Sequence, residues 1–207
     1  MGDPTHWESV YQKKATDAVS WYRPHLEQSV AWIRQVAPSN DARLVDAGGG
    51  ASTLVDDLLA LGLGRITVID LSATALQRSQ ARLGDRAKQV RWLAGDVTQP
   101  LLDPGSVDLW HDRAVFHFLT DPGDRAAYVE QLRAALRPGG HAILATFGPD
   151  GPEKCSGLPV QRYSPQGIAD ALGMGFTLVQ TTTEVHQTPW GSPQAFSYAL
   201  LRRTDEG

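Results

Sequence analysis

The chain has 207 residues, 42% of them hydrophobic, and a formal net charge of −4; one substantial core fits that length, and neither length nor composition asks for a second domain. The weakly acidic balance contains no run of Lys or Arg, so the positive field that a phosphate backbone requires is missing and nucleic acid is not an expected substrate. The N-terminus shows no charged-then-apolar signal and no apolar run reaches a membrane span, while the single Cys155 rules out an internal disulfide and is a poor start for a metal site; a cytoplasmic monomer or weak homodimer, with no metal and no membrane partner, is expected.

From Pro24 to Val36, Leu26, Val30 and Ile33 recur at helical spacing behind a proline suited to a first turn. A first strand, Arg43 to Ala47, is followed by a helix marked by Leu54, Leu58 and Leu61 that closes at Gly62 and Gly64. Ile66 to Asp70 is β-branched and reads as a second strand, and Ser72 caps a helix carrying Leu76 and Leu83. Val90–Leu93 and Val107–Trp110 read as strands three and four. A capped helix begins at Asp121-Pro122, with Val129, Leu132 and Leu136 on one face, and Pro138-Gly139-Gly140 stops it ahead of a fifth strand, His141–Phe147. Gly148 to Tyr163 reads as a loop, Pro165–Leu172 as a short helix, and Phe176–Val185 and Ala195–Arg203 as two strands whose short link makes them antiparallel. Repeated strand–helix units imply right-handed crossovers. The expected fold is therefore α/β: one Rossmann-like domain with a seven-stranded, mainly parallel sheet, helices on both faces and a C-terminal antiparallel hairpin. Within it, residues 1–37 form an N-terminal lid and helix, 43–147 the cofactor-binding core, and 148–207 the acceptor-side loop and hairpin.

The most specific feature is Asp46-Ala47-Gly48-Gly49-Gly50-Ala51-Ser52, where a strand ends in a carboxylate and runs straight into glycines. Gly48 and Gly50 let bare backbone approach a ligand and let the chain reverse sharply. Ligands in such sheets bind beyond the carboxyl ends of the strands, so each strand-end acid is a candidate contact. Asp70, twenty residues after Gly50, suits the two hydroxyls of a ribose, and Asp96, beside Val97, suits an exocyclic amine. Asp46 leads the turn, where an acid repels a pyrophosphate but attracts a cation or amine. Thr53 also stands where a dinucleotide fingerprint wants a third glycine. S-adenosylmethionine, with a sulfonium, an ammonium and no phosphate, matches that charge pattern.

On these residues the chain resembles the class I S-adenosylmethionine-dependent methyltransferases. Their acid-x-Gly-x-Gly-x-Gly/Ser motif is similar to Asp46 through Ser52, their ribose acid to Asp70 with Leu71 beside it, their adenine-side acid to Asp96 with Val97, and their Leu-x-Pro-Gly-Gly turn to Leu136-Arg137-Pro138-Gly139-Gly140. The resemblance covers Leu44 to Phe147 and implies S-adenosyl-L-methionine as cofactor.

The acceptor side is expected to follow strand four, in His111-Asp112-Arg113-Ala114-Val115-Phe116-His117-Phe118-Leu119. Here Arg113 suits the cofactor's carboxylate and His117 an acceptor's proton, with Asp112 as a third candidate. The structural alternative is an Asp112–Arg113 ion pair and a satisfied core His117. Trp110-His111-Asp112-Arg113-Ala114 with Asp121-Pro122-Gly123-Asp124-Arg125 and Tyr128 resembles a segment of the thiopurine and related thiol methyltransferases, except that Ala114 replaces a glycine. The aromatic N-terminus, with Trp7, Tyr11 and Trp21, is similar to the part of that group that closes over the cofactor; it also resembles small lysine methyltransferases with a Trp-x-x-x-Tyr segment. Trp7, Tyr11, His117, Cys155, Arg162 and Tyr163 are the candidate acceptor contacts. The expected activity is methyl transfer to a small nucleophile, with a thiol or sulfide preferred; the alternatives are a protein lysine N-methyltransferase and a cofactor-binding module without catalysis.

Overall fold

The β-branched and leucine-rich runs pair edge to edge in one sheet. The computed structural model describes residues 3–204. Strands β1 (Arg43–Ala47), β2 (Arg65–Asp70), β3 (Val90–Ala94), β4 (Val107–Arg113) and β5 (Leu136–Phe147) are parallel. After the two-residue pair β6 (Lys154–Cys155) and β7 (Leu158–Pro159), β8 (Phe176–Gln187) and β9 (Pro193–Arg203) complete the sheet as an antiparallel hairpin. The order is β3-β2-β1-β4-β5-β9-β8. It reverses direction between β1 and β4, which places the ligand crevice outside the carboxyl ends of those two strands.

Successive side chains of a strand point to opposite faces, and the two covered faces divide accordingly. Leu44, Ile66, Val68 and Leu109 pack with Trp32 and Ile33 of α2 (Glu27–Val36), Leu54 and Leu58 of α3 (Leu54–Ala60) and Leu76 of α4 (Ala73–Leu83). Val45, Ile69 and Trp110 pack with Tyr128, Val129 and Leu132 of α5 (Pro122–Ala135) and Ile168 and Leu172 of α6 (Pro165–Leu172). The remaining helix, α1 (Pro4–Lys13), buries Trp7 and Tyr11 against the first of these clusters. Side-chain caps start several helices: Ser72 accepts from Ala75 N–H for α4, and Asp121 from Gly123 and Asp124 N–H for α5, with Pro122 in the first turn.

The seven-stranded, mainly parallel sheet with its final hairpin agrees with the sequence expectation. Several boundaries move. Helix α2 begins at Glu27 rather than Pro24, because Leu26 takes the non-helical cap position. Leu136 is not on a helix face: α5 ends at Ala135 and β5 starts at Leu136, since the Pro138-Gly139-Gly140 turn is accommodated at the start of a longer strand. Strand β4 runs on to Arg113, and the 148–163 loop holds the β6–β7 pair. No helix among the described residues is long and apolar enough to cross a membrane.

Candidate functional site

The glycine turn is pinned by backbone. Gly48 and Gly49 both donate to the Ile69 carbonyl at 2.7 and 3.2 Å, folding the chain leaving β1 back over the end of β2. Gly48 takes φ +69°, and a Cβ there would sit 1.9 Å from Val115 Cγ2. A Cβ at Gly50 would meet Asp70 Oδ2 at 2.4 Å and Ala75 Cβ at 2.9 Å. Side chains at either position would therefore push apart the elements that frame the crevice.

That crevice has two lobes. The first encloses about 620 Å³, its open mouth included, and is lined by Asp70, Leu71, Gly95, Val97, Trp7, Phe118, Ala114, Val115 and Cys155. The second encloses about 500 Å³ and is lined by Asp46, Gly49, Ser52, Thr53, Tyr22, Arg23 and His111. Tyr11, Trp21, Gly48 and Arg113 line both lobes.

Each charged group has a definite setting. Asp70 is buried, and loss of water pushes its carboxyl up to about 7, with the nearby charges of Asp46 and Glu8 acting in the same direction. Its Oδ1 accepts from Ser72 N–H at 2.8 Å. Asp46 is 2% exposed. Its Oδ1 accepts from His111 Nδ1 at 2.7 Å, across the β1–β4 pairing, and its Oδ2 has no partner. The Arg113 side chain is 5% exposed and stacks on Phe196 at 4.4 Å. It donates to the Tyr198 hydroxyl at 3.0 Å and the Trp21 carbonyl at 3.1 Å, while Nη2 has no hydrogen-bond partner and lies 4.0 Å from Glu184. Ser52 lines the second lobe and accepts from Leu54 N–H. Asp96 is half-buried and turned toward Thr98, accepting its N–H and hydroxyl at 2.8 Å each, while its neighbours Gly95 and Val97 line the first lobe.

Four candidates are placed away from the crevice. Asp112 points to the opposite face of β4. It accepts from Val115 and Phe116 N–H and from the Tyr128 hydroxyl at 2.6 Å, so it caps the turn after β4 and does not pair with Arg113. His117 lines neither lobe. It is fully buried between Phe118 and Phe147, its Nδ1 accepts from Phe147 N–H at 3.2 Å, and burial pushes it down to about 3. The short 3₁₀ turn Phe116–Phe118 rotates the imidazole into the core rather than toward an acceptor. Arg162 bonds the Pro149 and Gly151 carbonyls and Glu153, and Tyr163 packs on Phe116. Cys155 does line the first lobe, with burial pushing its thiol up to about 11. Ser29 and Tyr198, which complete the surroundings of Asp46 and Arg113, escape a reading of the sequence; on helix and strand faces they look like ordinary core positions.

The donor set matches an adenosyl sulfonium with an amino-acid tail: a buried diol acceptor in one lobe, and an acid and a cation, each with an unpartnered atom, lining the other. Residues 45–142 match the family described as "Methyltransferase domain". The segment that builds the glycine turn and carries the strand-end acids Asp46 and Asp70 is thus similar to methyltransferase domains. Among curated relatives, the mouse eEF1A lysine and N-terminal methyltransferase is 27% identical over 52% of this chain and 16% of its own length. The malonyl-[acyl-carrier protein] O-methyltransferase of Prosthecochloris aestuarii is 27% identical over 83% of this chain and 64% of its own; the chain thus spans less than two thirds of either relative. Among solved structures, one described for conversion of a disulfide bond into a thioacetal group during echinomycin biosynthesis superposes with a TM-score of 0.77 at 17% identity, over 99% of this chain and 94% of that one. The N-methyltransferase NodS from Bradyrhizobium japonicum, solved with S-adenosyl-L-homocysteine, gives 0.68 at 18% identity, over 95% and 97%. These structures establish a shared fold.

Proposed function

We propose that the chain transfers a methyl group from S-adenosylmethionine to a small nucleophile, with sulfur as the preferred acceptor atom. When bound, the cofactor supplies an electrophilic methyl group on a sulfonium. Asp70 accepts from the ribose hydroxyls; Leu71 and Val97 pack against the adenosine, with Asp96 on the adenine side. Asp46 and Arg113 take the ammonium and carboxylate of the tail, with Gly48, Gly50 and Ser52 shaping the turn beneath it. Trp7, Tyr11, Trp21 and Phe118 exclude water and hold the acceptor close, so orientation carries most of the rate.

The observation that carries the sulfur preference is the lack of a spare proton acceptor in the first lobe among the described residues. Apart from Asp70, assigned to the ribose, that lobe offers Tyr11, whose phenol burial pushes up, and Cys155, pushed up to about 11. A thiol, with an ordinary pKa of about 8.5, supplies a small thiolate fraction at neutral pH before it enters the lobe, whereas a lysine ammonium, at about 10.4, supplies far less free amine. The solved structure named for disulfide-to-thioacetal conversion is consistent with soft-sulfur chemistry on this fold. The second reading, lysine N-methylation, is favoured by the curated eEF1A lysine methyltransferase relatives. Mass spectrometry after incubation with methyl-labelled cofactor and a mixture of thiols, amines, carboxylates and a lysine-rich protein extract decides between them. Label on a thiol is expected; label confined to protein lysine overturns the sulfur assignment, and cofactor binding with no labelled product in any class leaves a binding module.

A further inference from the structure

Beside the second lobe, Asp46 and Arg113 are each held by buried side chains. Arg113 Nε donates to the Tyr198 hydroxyl at 3.0 Å. Ser29 Oγ lies 2.9 Å from His111 Nε2, and His111 Nδ1 lies 2.7 Å from Asp46 Oδ1. Ser29, His111 and Tyr198 are each no more than 1% exposed, so water cannot substitute for a missing link. They come from three separate elements, α2, β4 and β9.

The two ends fix the direction of the bonds they make. A guanidinium only donates and a carboxylate only accepts. The Tyr198 hydroxyl therefore accepts from Arg113 Nε, and Asp46 accepts from His111 Nδ1, whose ring is backed on its other side by Ser29. On each residue one atom has no hydrogen-bond partner, Asp46 Oδ2 and Arg113 Nη2, the latter 4.0 Å from Glu184, and both residues line the second lobe. The leftover atoms are one acceptor and one donor, the pair an α-amino acid end requires.

We propose that Ser29, acting through His111, and Tyr198 are positioning residues that hold Asp46 and Arg113 at the separation and orientation needed to grip the amino-acid tail of the cofactor, neither of the two lining the lobe that receives it. The inference rests on the cofactor assignment above. It makes a selective prediction: breaking either arm weakens ligands that carry the tail and spares those that lack it.

Calorimetry on the full chain with two probes tests this. S-adenosylhomocysteine carries the tail; 5′-methylthioadenosine has the same adenosine and sulfur without it. Tyr198→Phe and, independently, Ser29→Ala are expected to weaken S-adenosylhomocysteine five- to twentyfold while changing methylthioadenosine less than twofold. Ser29→Thr, which keeps the hydroxyl, restores the wild-type value. Equal losses for both probes, or no loss for either, overturn the inference; if Tyr198→Phe does not fold, the Ser29→Ala and Ser29→Thr pair decides the question alone. Wild-type protein that binds neither probe overturns the cofactor assignment instead, so the two failures are distinguishable.

Discussion

Two buried polar networks flank β4 and differ in one respect. On the α2 side, His111 joins Asp46 to Ser29 while Tyr198 accepts from Arg113, and Asp46 Oδ2 and Arg113 Nη2, on residues that line a cleft, have no hydrogen-bond partner. On the α5 side, Trp110 Nε1 donates to the Tyr128 hydroxyl at 2.9 Å, that hydroxyl donates to Asp112, and the carboxylate takes up two backbone N–H groups as well. A polar network closed on itself stabilises a fold; one with spare capacity at its ends is prepared for a ligand. Adjacent residues of one strand thus serve different purposes, and partner accounting separates them where residue type does not.

The sharpest way to break this comparison is Asp112→Ala. Removing the carboxylate strands Tyr128 and the N–H groups of Val115 and Phe116 in the core, at a cost of about 3 kcal/mol in urea denaturation; unchanged stability with lost S-adenosylhomocysteine binding would make Asp112 part of the site. Asp46→Asn should do the reverse, weakening S-adenosylhomocysteine by about 2 kcal/mol in calorimetry while methylthioadenosine binds as before. Asp70→Asn is expected to cost about 1.5 kcal/mol of affinity for both adenosyl probes. It also carries a pH signature. The folded protein holds the Asp70 proton up to about 7, against 3.8 ordinarily, so the folded state binds more protons between those values. Stability from this group is therefore complete below pH 4 and falls as pH rises through 7. The Asn variant should melt higher than wild type at pH 8 and level with it at pH 4; the opposite order would mean that Asp70 is held ionised. The smallest effect is expected at Ala114, which sits at φ +73°. Ala114→Gly relieves that conformation and should stabilise the chain by about 1 kcal/mol in the same urea assay.

Local chemistry wrote much of this into the chain. The Asp46-to-Ser52 turn, the strand-end acid Asp70 and the alternation of strand and helix all depend on residues near one another in sequence, and the sheet and the glycine turn follow them. The aromatic segment after β4 misleads for a physical reason: Phe116-His117-Phe118 has the composition of a cleft wall, but a single 3₁₀ turn sends the imidazole inward and leaves Phe118 on the crevice. Loop length alone groups Arg162 and Tyr163 with the acceptor, while carbonyl contacts hold the first and a Phe116 contact the second. Ser29 and Tyr198 are invisible in the sequence because their meaning comes from partners 82 residues away in one case and 85 in the other, and a hydroxyl in an apolar pattern gives no sign of which partner it will meet.

The alternation of β4 has a mutational corollary. His111 and Asp112 face opposite layers only because successive strand residues do, so inserting one codon between Val107 and Trp110 would rotate the downstream strand by one face. The imidazole would then turn toward Tyr128 and the carboxylate toward Ser29, and a single frame-preserving lesion, with every amino acid of both networks still present, would dismantle the scaffold and the binding site together.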